Sequence, residues 1–174
     1  MSEKAYIVGA VRTPGGKKNG SLSQWHPADM GAVVLDELVK ITGIDPKDID
    51  DVIFGCVDQV GAQSGNIARN SILASSLPES VPGTSVDRQC GSSQQALHFA
   101  AQAVMSGTQD VVIAGGVEVM SLVPIGASVK VDMMLVMASL LMQKVLKIDI
   151  LVSSFLNSQV QNLWQKNGIY PVTT

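Results

Sequence analysis

The sequence predicts an α/β domain with a mostly parallel sheet and helices on both faces. Short apolar runs of strand length, Ala5–Val11, Asp51–Val57, Gly83–Val86 and Asp110–Gly115, recur along the first two thirds of the chain. Between them lie longer stretches with apolar residues at helical spacing, and Gly or Pro separates the two kinds of segment. Alternation of this kind is the signature of βα units, in which each helix carries the chain back across the sheet.

Ala5–Val11 is continuous in apolar character, with Ile7, Val8 and Val11, and reads as a buried first strand running into the loop Arg12-Thr13-Pro14-Gly15-Gly16. That loop lacks the GxxxxGK[ST] spacing of a phosphate cradle, so Arg12 reads as a residue that orders its loop. His26-Pro27 opens a helix that carries Met30, Val33, Val34, Leu38 and Ile41 and stops at Gly43, with Pro in the favoured first turn. Asp45-Pro46-Lys47-Asp48 is a second start signal, enough for a single turn before the strand at Asp51–Val57. Cys56 lies within that strand's apolar run and reads as a packed core thiol. Asp58–Gly65 is a polar connection, and Asn66–Ser76 is helical, with Ile67, Ile72 and Leu73 on one side. Arg69, on this stretch, reads either as a residue pointing at a site or as an exposed helix arginine. Pro78 and Pro82 bracket the loop before the strand Gly83–Val86.

A helix of about four turns then begins near Cys90 and ends at Gly107, with Ala96, Phe99, Ala100, Ala103 and Val104 at helical spacing. Strand, tight turn and helix therefore meet at a cysteine. A thiol at a helix start faces unpaired N–H groups and the positive end of the helix dipole, which favour the thiolate. The same N–H groups can donate to an oxyanion formed when that thiolate attacks a carbonyl. Gly91 lets a substrate come close to the backbone. The residues by themselves leave two readings of Cys90 open, a nucleophile at the helix mouth or a small buried thiol. Neither histidine supplies a general base: His98 is about 12 Å further along the same helix and turned by roughly 80°, and His26 reads as a cap or surface residue.

Composition narrows the class. The 174 residues have room for one domain with a sizeable core, and the net charge of −3 with no basic run gives no support for nucleic-acid binding. Two cysteines without CxxC spacing fit neither a disulfide framework nor a zinc site and point to a reducing compartment, taken here as the cytoplasm. No signal peptide and no Arg-rich leader is legible at Met1-Ser2-Glu3-Lys4. Met133–Met142 is apolar, but it is flanked by Asp132 and Lys144 and falls short of the roughly 20 residues that cross a bilayer.

Asp87-Arg88-Gln89-Cys90-Gly91-Ser92-Ser93, the Ala-rich helix after it, and Gly115-Gly116-Val117-Glu118-Val119-Met120-Ser121 resemble the nucleophile segment and following strand of the thiolase family, the acetyl-CoA acyltransferases. Ala5–Gly16 resembles that family's first strand and loop. The blocks stand in family order over about residues 4 to 130. The resemblance implies a thiolase-like N-terminal layer, incomplete here, with Cys90 as catalytic nucleophile. It also implies a coenzyme A thioester as substrate with no permanently bound cofactor or metal, no membrane partner, and a homo-oligomer whose dimer contact lies near the strand before Cys90. The region after Asp58 would border the active site and that contact.

In the family a histidine takes the nucleophile's proton and a second cysteine serves as acid and base. These two, and an Asn of the oxyanion hole, come from the C-terminal half in Gly-His-Pro and Cys-x-Gly-Gly-Gly motifs. This sequence has neither motif. The expectation is a thiolase-type acyltransferase fragment, acting in 3-ketoacyl-CoA thiolysis or acetoacetyl-CoA-type condensation through an acyl-cysteine and inactive alone. The alternatives are a non-catalytic fragment that pairs with a full-length thiolase, or a condensing enzyme of the ketoacyl-synthase type. A nucleotide-binding domain lacks GxGxxG after the first strand.

The resemblance stops after Lys130. Residues 1–130 are expected to form the thiolase-like domain, and 131–174 an atypical tail rich in Met, Leu and Lys without a helical stripe. Reading the possible codons of Ser158–Thr174 one base earlier forces Ala at the Trp164–Gln165 junction. Lys or Glu must follow twice, and then Trp or Arg. One permitted string contains Ala-Glu-Leu-Val-Ala-Glu-Lys-Trp, which resembles a helix downstream of the nucleophile in thiolases. The expectation is that the tail is translated out of frame.

Overall fold

The computed structural model describes residues 4–146. The chain divides into two compact units, 1–130 and 131–174. The first unit is built on three parallel strands, β1 (Asp51–Gly55), β2 (Gly83–Val86) and β3 (Val112–Gly116), in the order β2-β1-β3. Val52 pairs with Gly83 on one side and with Ile113 on the other, so β1 is the central strand.

Side-chain alternation along β1 produces a layer on each face. Val52, Phe54 and Cys56 pack with Leu35, Ile67, Ala68 and Ile72 of helices α1 (Pro27–Thr42) and α2 (Ile67–Ala74). Ile53, from the opposite face, packs with Ala96 and Ala100 of helix α3 (Ser92–Met105), together with Val86 and Val112. The sheet is thus covered on both faces, as the alternating sequence pattern implies.

The helix ends follow their sequence signals. His26 caps α1, its Nδ1 accepting from the Ala28 N–H at 3.3 Å, and Gly43 ends the helix in the left-handed region at φ 67°. Asp45 caps a single 3₁₀ turn at Pro46–Asp48, and Asn66 caps α2 through the Arg69 N–H. Arg69 does neither of the things its position suggested. It is half-buried, and its Nη1 donates to the Val81 carbonyl at 2.6 Å, tying α2 to the loop before β2.

Two segments depart from expectation. Ala5–Val11 is not a buried strand: it pairs with no strand among the described residues, and Tyr6, Ile7 and Val8 are 75–83% exposed. An apolar run becomes a strand only when a neighbouring strand takes up its N–H and C=O groups. Helix α4 (Ala127–Leu146) covers sequence that has no helical stripe. Its Ala, Met, Leu, Gln and Lys residues are good helix formers, so propensity without periodicity is sufficient there. Residues 147–174, which include the span of the codon comparison, lie outside the described residues.

The first turn of α3 rests directly on the backbone of the sheet. A Cβ at Gly55 would collide with the Ser93 N and the Ser92 carbonyl carbon and lie 2.7 Å from the Ser93 Cα; a Cβ at Gly116 would collide with the Ser93 Oγ. Only a residue without a side chain allows this approach at either strand end. Gly55→Ala is expected to lower unfolding free energy by about 1–3 kcal/mol. Gly15→Ala, where a Cβ meets nothing within 4 Å, should change it little. Urea denaturation of both variants checks this.

Candidate active site at the mouth of helix α3

The turn Asp87–Gly91 joins β2 to α3 and places Cys90 beside the capping residue Gly91 at the start of the helix. Cys90 is exposed and makes no disulfide. No side chain caps α3, and Gln95 is the first residue whose N–H closes an intrahelical bond, to the Gly91 carbonyl at 2.9 Å. The N–H groups of Ser93 and Gln94 have no intrahelical acceptor, as in the first turn of any α-helix. An exposed cysteine therefore stands at the positive end of a helix.

Cys56 is chemically the opposite. It is buried at the end of β1, with its Sγ 4.0 Å from the Glu118 Oε1. Burial pushes its thiol up to about 12, with the negative charges of Glu118, Asp58 and Asp87 adding to the effect. The core-thiol reading of Cys56 matches this environment. His98 is exposed on α3, and His26 caps α1. Arg12 is exposed and, among the described residues, donates to the Thr13 carbonyl of its own loop, at 3.3 Å. No group of metal-binding side chains is present among the described residues.

A polar clamp fixes the loops around this edge of the sheet. Glu118, just beyond β3, accepts from the Val57 N–H at 2.8 Å, the Asp58 N–H at 3.4 Å and the Gln63 Nε2 at 2.7 Å. Gln63, wholly buried, also donates to the Asp58 carbonyl and accepts from the Val119 N–H at 2.6 Å. Asp58, 1% exposed, accepts from the Ser128 hydroxyl at 2.7 Å and from the Ser128 and Gly126 N–H groups. The loops after β1 and β3 are thereby locked to each other. The sequence marks Asp58–Gly65 as a polar connection near the site but does not disclose this clamp, since partners some 60 positions apart leave no local spacing to detect.

Residues 5–165 match the family profile of the thiolase N-terminal domain. The chain belongs to the thiolase family. It is 57% identical over 128 residues to the steroid 3-ketoacyl-CoA thiolase FadA6 of Mycobacterium tuberculosis, covering 74% of this chain and 31% of that protein. It is 46% identical over 122 residues to the 3-oxoadipyl-CoA/3-oxo-5,6-dehydrosuberyl-CoA thiolase of Escherichia coli, covering 70% of this chain and 30% of that protein. Among solved structures, the acetyl-CoA acetyltransferase of Bacillus anthracis superposes with a TM-score of 0.67 at 39% identity, over 71% of this chain and 31% of that one. This thiolase-family chain thus spans about a third of the length of the relatives it matches. Its three-stranded sheet is accordingly an incomplete thiolase-like layer. No helix among the described residues is long and apolar enough to cross a membrane.

The donations from Ser128, first its hydroxyl and then its N–H, together with the Gly126 N–H, hold the Asp58 carboxyl below its ordinary 3.8. A folded-state value below the unfolded one adds stability that is complete above the unfolded value and is lost as pH falls through the folded value. The difference in urea midpoint between the native chain and Asp58→Asn is therefore expected to favour the native chain at pH 7. It should shrink progressively as pH falls below about 4, and an equal difference at pH 7 and pH 2.5 would count against the clamp.

Proposed function

We propose that this chain carries the nucleophile of a thiolase-type acyltransferase, with Cys90 as the residue that takes up the acyl group. The observation that supports this most is an exposed thiol on the turn that enters an uncapped helix start, in a chain of the thiolase family. The Cys90 sulfur attacks the carbonyl carbon of a coenzyme A thioester, and the oxyanion points at the first-turn N–H groups of α3. The attack forms the carbon–sulfur bond to Cys90; collapse restores the carbonyl and breaks the carbon–sulfur bond to coenzyme A, whose departing thiolate takes up the proton that the Cys90 thiol gave up. The substrate class is acyl-CoA and 3-ketoacyl-CoA, matching the names of the relatives. Coenzyme A enters as substrate, and the cytoplasm is the proposed setting.

Turnover requires a base for the thiol proton and an acid–base group at the substrate α-carbon. His26 and His98 cannot serve Cys90, and Cys56 is buried with its proton held tightly. The chain by itself is therefore proposed to acylate once and stop. Its edge strand β2 is the proposed contact with a second thiolase subunit, and size-exclusion of a mixture with an intact thiolase should show a joint peak.

The proposed domain arrangement is a thiolase-like unit over residues 1–130 and an out-of-frame tail over 131–174. The alignments to the two relatives, over 128 and 122 residues, support it, although the family match runs on to residue 165. The coding DNA read one base earlier from the codon of Lys130 should encode a thiolase-like continuation, and a stop codon or an unrelated string there would refute the arrangement.

Incubation with acetyl-CoA and intact-mass measurement is expected to give one acetyl adduct per chain, mapping to Cys90, with Cys56 unmodified. Cys90→Ala should abolish it. Sustained release of coenzyme A over many cycles would disprove the single-acylation reading.

A further inference from the structure

The turn before α3 contains a strained residue and a buried hydroxyl. Gln89 has φ 49°, in the left-handed region that a residue with a side chain seldom enters. Ser92, two residues after Cys90, is 4% exposed although it is polar. Its Oγ accepts from the Arg88 N–H at 2.9 Å and donates to the Gln89 carbonyl at 2.6 Å. Its own N–H donates to that carbonyl at 3.0 Å, and the Gly91 N–H donates to the Arg88 carbonyl at 3.1 Å. On the other side, the Asp87 Oδ1 accepts from the Gln89 N–H at 2.7 Å. One side chain thus fastens the backbone on both sides of Gln89, directly before the cysteine.

We infer that Ser92 is a positioning residue for Cys90: its hydroxyl holds Gln89 in the left-handed conformation and so fixes where the cysteine sulfur meets an incoming carbonyl. The inference rests on the acyl-cysteine reading above. Acyl transfer demands that the sulfur reach the carbonyl carbon while the carbonyl oxygen meets the helix N–H groups. Small displacements of a reacting group are therefore costly. Alkylation by iodoacetamide also uses the thiolate, but it forms no oxyanion and so makes no demand on how a carbonyl oxygen meets those N–H groups.

The two reactions separate positioning from folding. Rates of acetyl transfer from acetyl-CoA and of iodoacetamide alkylation at Cys90 would be measured by intact mass for the native chain, Ser92→Ala and Gln89→Gly/Ser92→Ala. Ser92→Ala is expected to slow acetylation on the order of 10–100-fold while alkylation stays within about twofold. Glycine enters the left-handed region without a steric penalty, so the double variant should regain most of the lost acetylation. Equal slowing of both reactions, or a double variant no faster than Ser92→Ala, would overturn the role given to Ser92. Unchanged acetylation in Ser92→Ala beside normal acetylation of the native chain would defeat this inference alone. Absence of acetylation in the native chain, with alkylation intact, would defeat the acyl-cysteine reading and this inference with it.

Discussion

The contact on which the site depends is between bare strand backbone and the first turn of helix α3. At Gly55 and Gly116 the ends of β1 and β3 have no side chains, and the first turn of α3 settles onto them with Ser93 in between. Side-chain packing tolerates adjustment through rotamers, but a helix resting on peptide groups has no such slack. The position of α3 is therefore fixed closest to its start. That is the end at which Cys90 stands, and the residues that crowd the contact, Ser92 and Ser93, follow it within three positions. Ile53, Ala96 and Ala100 continue the same interface down the helix with small and branched side chains, so the helix is steered from its tip and steadied along its body.

Hydrogen bonding closes the remaining freedom around this edge. The loop after β1 has few apolar side chains to hold it, and Glu118, Gln63 and Asp58 take over that task by binding backbone N–H groups on both loops. Gln63 and Asp58 are buried, Glu118 is exposed, and each has several partners, so the buried members of the network are satisfied. Asp50 does the same at the opposite end of the sheet. Its carboxylate accepts from the Val111 and Asp110 N–H groups, which lower its pKa and tie the entry of β1 to the entry of β3. Both ends of the central pairing are thereby pinned by a carboxylate.

Much of this was legible in the sequence because the decisive signals are local. Pro27 with Gly43, Asp45 with Pro46, and Asn66 each mark a helix end through chemistry confined to a few residues, and the structure places caps at each. The strand, turn and helix around Cys90 were equally readable from the apolar run, the glycine and the alanine-rich stretch. What could not be read depends on partners far away in sequence. Ala5–Val11 has the composition of a strand, yet pairing is a property of two segments, and none of the described residues pairs with it. Glu118 and Gln63 look like ordinary polar residues until the fold brings β1 and β3 side by side. Ser92 belongs to the motif around Cys90, but its bond to the Gln89 carbonyl and the left-handed dihedral of Gln89 appear only in the fold.

The central place of β1 carries a consequence for motion. It is the one described strand bonded to a neighbour on each side, while β2 and β3 each leave an edge open. Amide protons along Val52–Gly55 should thus be the slowest of the sheet to exchange with solvent, and those of the flanking strands should go earlier. The strand that leads to the Cys90 turn is tied to the end of β1 through the Cys56 N–H, which donates to the Val86 carbonyl at 3.0 Å. Cys90 is thus carried by a flanking strand and tied through this one bond to the end of the central strand.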